Sequence, residues 1–215
     1  MILSRRRGFL FIHIPKTGGT ALALALENHA CADDILVGDT PKARRRRKRQ
    51  QDLPTSGRLW KHSNLADLHG LVLPGDLAEL FIFTLVRNPW DRAVSYYHWI
   101  KGQNFDHIAV SLARVLSFEE FIQHPHSQAS FRAASYASYI TDHSGREQCD
   151  LFIRLEHLAE DIRPLEAHLG FRLADPGQVN ASDRDPDYRK YYGPKTQALI
   201  GDICAEDIAR FGYDF

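Results

Sequence analysis

FIHIPKTGGT, residues 11–20, runs a short apolar stretch into a proline, a lysine and a pair of glycines. The stretch that ends at the proline, GFLFIHI (8–14), is almost continuously apolar and reads as a buried strand. Behind the glycines comes TALALALENHA (20–30). Its leucines at 22, 24 and 26 alternate as in a strand. Ala and Leu are nevertheless strong helix formers, and Leu22, Ala25, Leu26 and His29 also recur at helical spacing. Placed after a glycine turn that follows a buried strand, the segment is predicted to be a helix.

A strand, a tight turn and a helix start suit an anion. The first N–H groups of a helix have no carbonyl partner within it, and they carry the positive end of its dipole. Gly18 and Gly19 let the backbone approach a ligand closely, Lys16 adds a full charge, and Thr17 and Thr20 add hydroxyl donors. The triphosphate-binding form of this device is GxxxxGK[ST]. Here the lysine precedes the glycines and no Gly-Lys-Ser/Thr follows, which disfavours an ATPase. The competing reading is a plain strand–turn–helix corner with an exposed lysine. A Gly-Gly pair alone does not separate the two; PKTGGT directly behind FIHI is the more specific signal.

The rest of the chain repeats the alternation. ELFIFTLVR (79–87) is the strongest strand, apolar on both faces and so central in a parallel sheet. NPWDRAVSYYHWIKG then opens a helix with Asn88 as N-cap, Pro89 at its first position and Asp91 in the first turn, and Trp90, Ala93, Val94, Tyr97 and Ile100 form one apolar stripe. RLWKH (58–62) reads as a short strand, followed by a short helix capped by Ser63 or Asn64. SFEEFIQH carries a capping box, Ser117 with Glu120. CDLFIRLEHL is another strand. A helix follows that Pro164 kinks or restarts and Gly170 ends, and the tail from Tyr191 is helical. Strands alternating with helices predict an α/β fold, a parallel sheet flanked by helices on both faces.

Length and charge bound the function. A chain of 215 residues fits one domain. Formal net charge is zero, so no global field draws it to nucleic acid or membrane, but residues 1–61 hold 13 Lys/Arg against 5 Asp/Glu while the remainder holds 14 against 22. An anionic ligand is therefore expected in the N-terminal part. Three scattered cysteines suit neither a disulfide framework nor a zinc site. MILSRRR looks like the start of a signal peptide, yet the apolar run behind it, Phe9 to Ile14, is too short for a secretory core or a membrane span. The expectation is a soluble cytoplasmic protein with a basic tail before its first strand. Residues 38–57, centred on KARRRRKRQQD, read as a basic loop insertion; Lys42 to Arg49 holds seven basic residues in eight.

FIHIPKTGGT resembles the 5′-phosphosulfate-binding loop of sulfotransferases that use 3′-phosphoadenosine-5′-phosphosulfate (PAPS). TLVRNPWDRAVSYYHW (84–99) resembles that family's 3′-phosphate-binding segment, a strand-end arginine followed by a helix serine. The ending RKYYGPKTQALIGDICAEDIARFGYDF is similar to that of short bacterial members, so the resemblance covers nearly the whole chain. It implies a P-loop-like fold and a metal-independent, in-line transfer of a sulfuryl group from PAPS to a hydroxyl. It implies further that Lys16, with Thr17, Gly18, Gly19 and Thr20, holds the phosphosulfate, that Lys16 stabilises charge on the bridging oxygen, and that Arg87 and Ser95 clamp the 3′-phosphate. Each of these last two has a plainer reading, a helix-flanking ion pair for Arg87 and a solvated helix serine for Ser95.

His62, in WKHSNL, is the candidate general base, because hydroxyl acceptors need one and histidine suits neutral pH. Several carbohydrate sulfotransferases resemble that arrangement. With 11 histidines in the chain, a structural or surface role for His62 stays open, and Lys61 beside it is a candidate for sulfate or substrate. His13 reads as a satisfied buried histidine, and Glu156 with Arg154 as a structural pair. Arg184, Tyr188, Arg189 and Lys190 lie in a polar stretch that could close over a ligand, but no motif fixes them. The acceptor is expected to be a carbohydrate hydroxyl, with an anionic glycan or glycolipid reached through the basic run as one form of it. Nucleic acid is disfavoured, since no aromatic platform accompanies that run. Two other functions remain compatible with the residues: a P-loop nucleotide kinase or NTPase, and a non-catalytic polyanion-binding module.

Overall fold

The protein is described by a computed structural model over residues 1–174 and 184–215. Strands β1 (Ile2–Ser4), β2 (Phe9–Ile12), β3 (Ile35–Leu36), β4 (Phe81–Val86) and β5 (Leu151–Arg154) alternate with twelve helices among the described residues. These are α1 (Gly19–Glu27), α2 (Pro41–Gln50), α3 (Pro74–Leu77), α4 (Pro89–Lys101), α5 (Ile108–Val115), α6 (Phe118–Gln123), α7 (Pro125–Ala133), α8 (Tyr136–Ile140), α9 (Leu158–Asp161), α10 (Arg163–Leu169), α11 (Pro194–Ile203) and α12 (Ala205–Phe211). The chain divides into two compact units, Met1–Val86 with Tyr136–Val179 and Arg87–Ser135 with Asn180–Phe215.

The first unit holds the sheet, in the order β3-β1-β2-β4-β5. β2, β4 and β5 are parallel, with Phe11 opposite Phe83 and Phe83 opposite Leu151. The apolar runs are continuous because both faces are covered. Phe9, Phe11, Phe83, Leu85 and Ile153 pack with Leu22 and Leu26 of α1 and Leu165 of α10. Their neighbours Leu10, Ile12 and Ile82 turn the other way, onto Leu65, Leu68, Leu71 and Val72. Phe11 and Phe83 are wholly buried and stacked at 5.3 Å. Each contributes about 1.5–3 kcal/mol by leaving water.

Three expectations change here. The first four residues are no basic tail. Met1 to Ser4 are buried, and β1 pairs antiparallel with β2 (Leu3 opposite Leu10) and with β3 (Leu3 opposite Ile35), so the parallel core carries an antiparallel margin. The arginines sit in the hairpin turn, closed by Gly8 N–H donating to Arg5 O, with Gly8 at φ 61°. RLWKH is a turn rather than a strand. Ser63 Oγ accepts from Trp60 N (2.9 Å) and donates to Arg58 O (2.7 Å), folding the segment back on itself. Asn64 and Asp67 exchange side-chain-to-backbone bonds of 3.1 and 2.8 Å and cap the short 3₁₀ turn Ala66–Leu68.

The basic run is a helix rather than a loop. Thr40 caps α2 by accepting from Ala43 N, and Pro41 occupies its first turn. Arginine and lysine are good helix formers, and Arg47, Lys48 and Arg49 in the last turn meet the negative end of the dipole. Ala43 and Gln50 are buried beneath it.

The second unit is helical. The α4 stripe, Trp90, Ala93, Val94, Tyr97 and Ile100, is buried throughout and packs with Ala109 and Val110 of α5, Phe118 and Phe121 of α6 and Ile200 of α11. Asn88 Oδ1 accepts from Trp90 N (3.1 Å), and Ser117 with Glu120 forms the capping box. Among the described residues no helix is long and apolar enough to cross a membrane.

Candidate functional site

In the first unit, α1 begins at Gly19 with Gly18 as its N-cap. No side chain caps it and no acidic residue stands in its first turn, so no side chain of its own satisfies its leading N–H groups, which are suited to an anion. Lys16 lies at φ 67°, and among the described residues it is the only non-glycine at positive φ. For an L residue with a Cβ this conformation costs about 1–2 kcal/mol. Such strain persists where the surroundings over-determine it, commonly at functional sites.

The surroundings here are visible. Thr17 is fully buried and its hydroxyl donates to Ile14 O at 2.9 Å. This bond engages the hydroxyl in clasping the turn. Gly18 sits at φ 86°, a left-handed conformation that disfavours any side chain, and a Cβ there would also press on Leu155 Cδ1 at 2.7 Å. At Gly19 a Cβ would lie 2.3 Å from His13 Cδ2. The two glycines are needed for different reasons, one for backbone shape and one to admit an imidazole.

That imidazole leads to His62. His62 Nδ1 is 2.7 Å from His13 O. A carbonyl only accepts, so Nδ1 carries the proton and Nε2 presents its lone pair. Burial pushes the His62 pKa down to about 3; the bond to His13 O opposes the shift and the Lys61 charge adds to it. The ring is thus neutral at neutral pH, the state a proton acceptor requires. His13 is buried and its pKa is pushed well below the ordinary value, mainly by burial. The two rings meet edge to face at 4.7 Å, and His13 stacks on Phe11 at 5.6 Å. The sequence suggests a satisfied histidine here, but neither ring nitrogen of His13 has a hydrogen-bond partner among the described residues. Lys61, considered as a sulfate contact, pairs with Asp39 at 2.6 Å.

In the second unit, Arg87 grips Asp91 Oδ2 through Nε (2.9 Å) and Nη2 (2.7 Å). Arg184 Nη2 reaches the other oxygen of the same carboxylate at 2.6 Å. The side chains of Arg87, Asp91 and Arg184 are 15, 17 and 10% exposed. Two guanidinium groups thus share one carboxylate in a poorly solvated cluster. Arg184 Nη1 is buried with no hydrogen-bond partner among the described residues. Ser95 stands one turn beyond Asp91 on α4 and is 7% exposed rather than solvated. Its hydroxyl has no partner among the described residues. The sequence omits Arg184 because it lies 93 positions from Asp91 with no motif around it. Its only signal is a cationic residue in an aromatic, polar stretch. Arg154 closes a two-point ion pair with Asp161 (2.8 and 3.0 Å), in keeping with a structural role.

One group of side chains could in principle hold a metal ion among the described residues: Cys31, Asp33 and Asp34, with ligand atoms within 4.8 Å of one another. Arg46 donates to Asp34 O (2.6 Å) and Cys31 O (2.7 Å), and Arg49 to Ala32 O (2.5 Å). Two guanidinium charges therefore occupy the same turn and oppose a cation.

A model of the Sulfotransferase family matches residues 1–214. Among solved structures, mouse sulfotransferase SULT7A1 complexed with PAP is similar at 18% identity and a TM-score of 0.47, over 94% of this chain and 84% of that one. A sulfotransferase from Alicyclobacillus acidocaldarius is similar at 20% identity and a TM-score of 0.43, over 97% and 96%. No curated protein matches.

Proposed function

The chain belongs to the sulfotransferase family, and from that footing we propose that it moves the sulfuryl group of PAPS to a carbohydrate hydroxyl by in-line transfer without a metal. The observation that carries the reading is the uncapped start of α1 behind a strained Lys16. In this reading, Lys16 and the N–H groups of Gly18, Gly19 and Thr20 hold the 5′-phosphosulfate. Arg87 and Ser95 take the 3′-phosphate, and the orphan Nη1 of Arg184 supplies a further donor to that anion.

His62 Nε2 removes the acceptor proton. The acceptor oxygen forms its bond to sulfur as the bond from sulfur to the bridging oxygen breaks. Lys16 and the loop amides stabilise the charge left on the bisphosphate nucleotide. His62 is a weak base in the ligand-free protein. The dianionic sulfuryl donor beside it favours its protonated form, raising its basicity as the reaction site fills.

The test is thermal stabilisation by adenosine 3′,5′-bisphosphate without Mg²⁺, set beside ATP with Mg²⁺. Stabilisation by the bisphosphate supports the reading; stabilisation by ATP–Mg²⁺ alone overturns it in favour of a kinase or NTPase. His62→Ala distinguishes the base. Turnover should fall with nucleotide affinity kept, and unchanged turnover removes His62 from the role.

A further inference from the structure

The helical unit leaves an apolar strip uncovered. Among the described residues six large apolar side chains are strongly exposed, and four of them, Trp99, Phe105, Ile108 and Val115, fall within one stretch of the chain. Helix α5 orders them. Ala109, Val110 and Ala113 are buried in the core of the unit. At about 3.6 residues per turn, the opposite arc carries Ile108, Ser111, Leu112 and Val115. Ile108 is 51% exposed and Val115 78%, with Leu112 half-buried between them. Apolar residues spaced four and then three apart make a seam for a second helix, where a solvated face would be polar. Phe105 continues the strip to Trp99, with their rings 6.2 Å apart. The bare apolar area is on the order of 400 Å², the size at which a patch on a single chain is commonly functional.

Two charges flank this seam. Asp106, just before α5, is exposed and has no hydrogen-bond or ion-pair partner among the described residues. Arg114, near the other end, is also exposed. Its Nη2 donates to Gln103 O and to Asn104 Oδ1, both at 2.6 Å, which steadies the guanidinium and leaves Nε and Nη1 for another acceptor. The two residues stand at opposite ends of a helix about 12 Å long, too far apart to pair within one chain.

We propose that this face joins two copies of the chain, α5 packing antiparallel on α5 of the second copy. Ile108 then lies against Val115 of the second copy, with Leu112 near the two-fold axis. In that register Asp106 of each copy comes within about 5 Å, along the helix axis, of Arg114 of the other, inside the reach of an arginine side chain. The contact is isologous, so both ion pairs close together. The apolar seam supplies the affinity, and the exposed pairs fix the direction of packing. Doubled across the axis and widened by its polar rim, the strip reaches about 1,200 Å², the lower end of specific interfaces. A helix lying on anionic lipid instead surrounds its apolar face with cations, whereas here an unpaired carboxylate stands at the edge.

Sedimentation velocity of the full chain from about 1 to 200 μM is the first measurement. The mass should double, with a dissociation constant on the order of 10 μM. The double variant Ile108→Glu, Val115→Glu sets like charges against each other across the seam and should raise that constant at least about 50-fold. Leu73→Glu, at an exposed apolar position in the other unit, should change it less than about 3-fold. Circular dichroism checks that each variant is folded.

Charge reversal tests the geometry itself. Asp106→Arg and Arg114→Asp each place like charges at both ends of the seam and should weaken self-association about 10-fold. Mixed one to one, the two variants bring opposite charges together at both ends and should associate with each other at close to the original affinity. A single-copy mass at about 200 μM overturns the proposal. So does a dimer indifferent to the seam variants, or two reversed variants that fail to recover association on mixing. Binding of phosphatidylserine vesicles by a chain that does not dimerise would assign the strip to a membrane surface and overturn it equally.

Discussion

The two regions proposed to hold anions are built on different principles. Around Lys16 the device is backbone: a helix start without a cap, two glycines required by their neighbours, and a lysine forced into a left-handed conformation. Around Arg87 the device is side chains: two guanidinium groups sharing the Asp91 carboxylate, with one nitrogen of Arg184 left over. The first is local in sequence and depends on neutral, buried imidazoles. The second joins distant residues and depends on charge. Backbone devices therefore leave a short motif behind them, whereas side-chain devices leave almost none.

The sharpest way to break this comparison is Lys16→Ala. It removes the cation proposed to stand at the leaving oxygen and should lower turnover about 10²- to 10³-fold, measured with saturating acceptor, while the melting temperature holds or rises. A loss under about tenfold would mean that the loop amides alone do the electrostatic work. Next comes Arg184→Ala. If its spare nitrogen serves the anion, adenosine 3′,5′-bisphosphate should bind about 10-fold more weakly by calorimetry; unaltered affinity would reduce the arginine to a brace for Asp91.

Acid tests the other side. His13 and His62 have folded pKa values below the unfolded value of 6.5, His62 down to about 3. The unfolded chain binds more protons between those limits, so their stability contribution is complete above pH 6.5 and is lost as pH falls toward 3. Between pH 7 and 5 His62 should cost roughly 2 kcal/mol in urea unfolding, His13 should add a loss of the same sign, and the slope should be shallower in His62→Asn. Smallest is Lys16→Gly. Relieving the left-handed strain should stabilise the protein by about 1 kcal/mol even as activity is lost. A destabilised Lys16→Gly would show that the lysine side chain, not its backbone, holds the turn together.

The buried strands, the capped α4 and the PKTGGT turn were legible because each is dictated by neighbours in sequence: apolar residues on both faces, Asn88 before Pro89, glycines between strand and helix. RLWKH misled because its apolar residues suggested a strand while Ser63, one residue beyond, bends the backbone back. The basic run misled because seven like charges suggest repulsion and solvent. Arg46 and Arg49 relieve that repulsion by bonding to carbonyls 12 and 17 positions away, which no local pattern records. Thr17 was placed in the site by its motif, but whether a hydroxyl faces a ligand or its own turn is decided by one rotamer. Arg184 stood out only as one of several cations in a polar stretch, and its pairing with Asp91, 93 positions away, is recorded by no local pattern.

The β1–β2 hairpin bears on how the protein acquires its site. Its strands are joined by a four-residue turn and pair register by register, Ile2 with Phe11 and Ser4 with Phe9. The loop to be closed is short, so its entropy cost is small, whereas pairing β2 with β4 joins residues about seventy positions apart. The hairpin is thus positioned to form first. It fixes the edge of β2 and gives the later parallel strand a template, so that the strand leading into the glycine turn is organised before the arginine of the second unit has emerged from the collapsing chain.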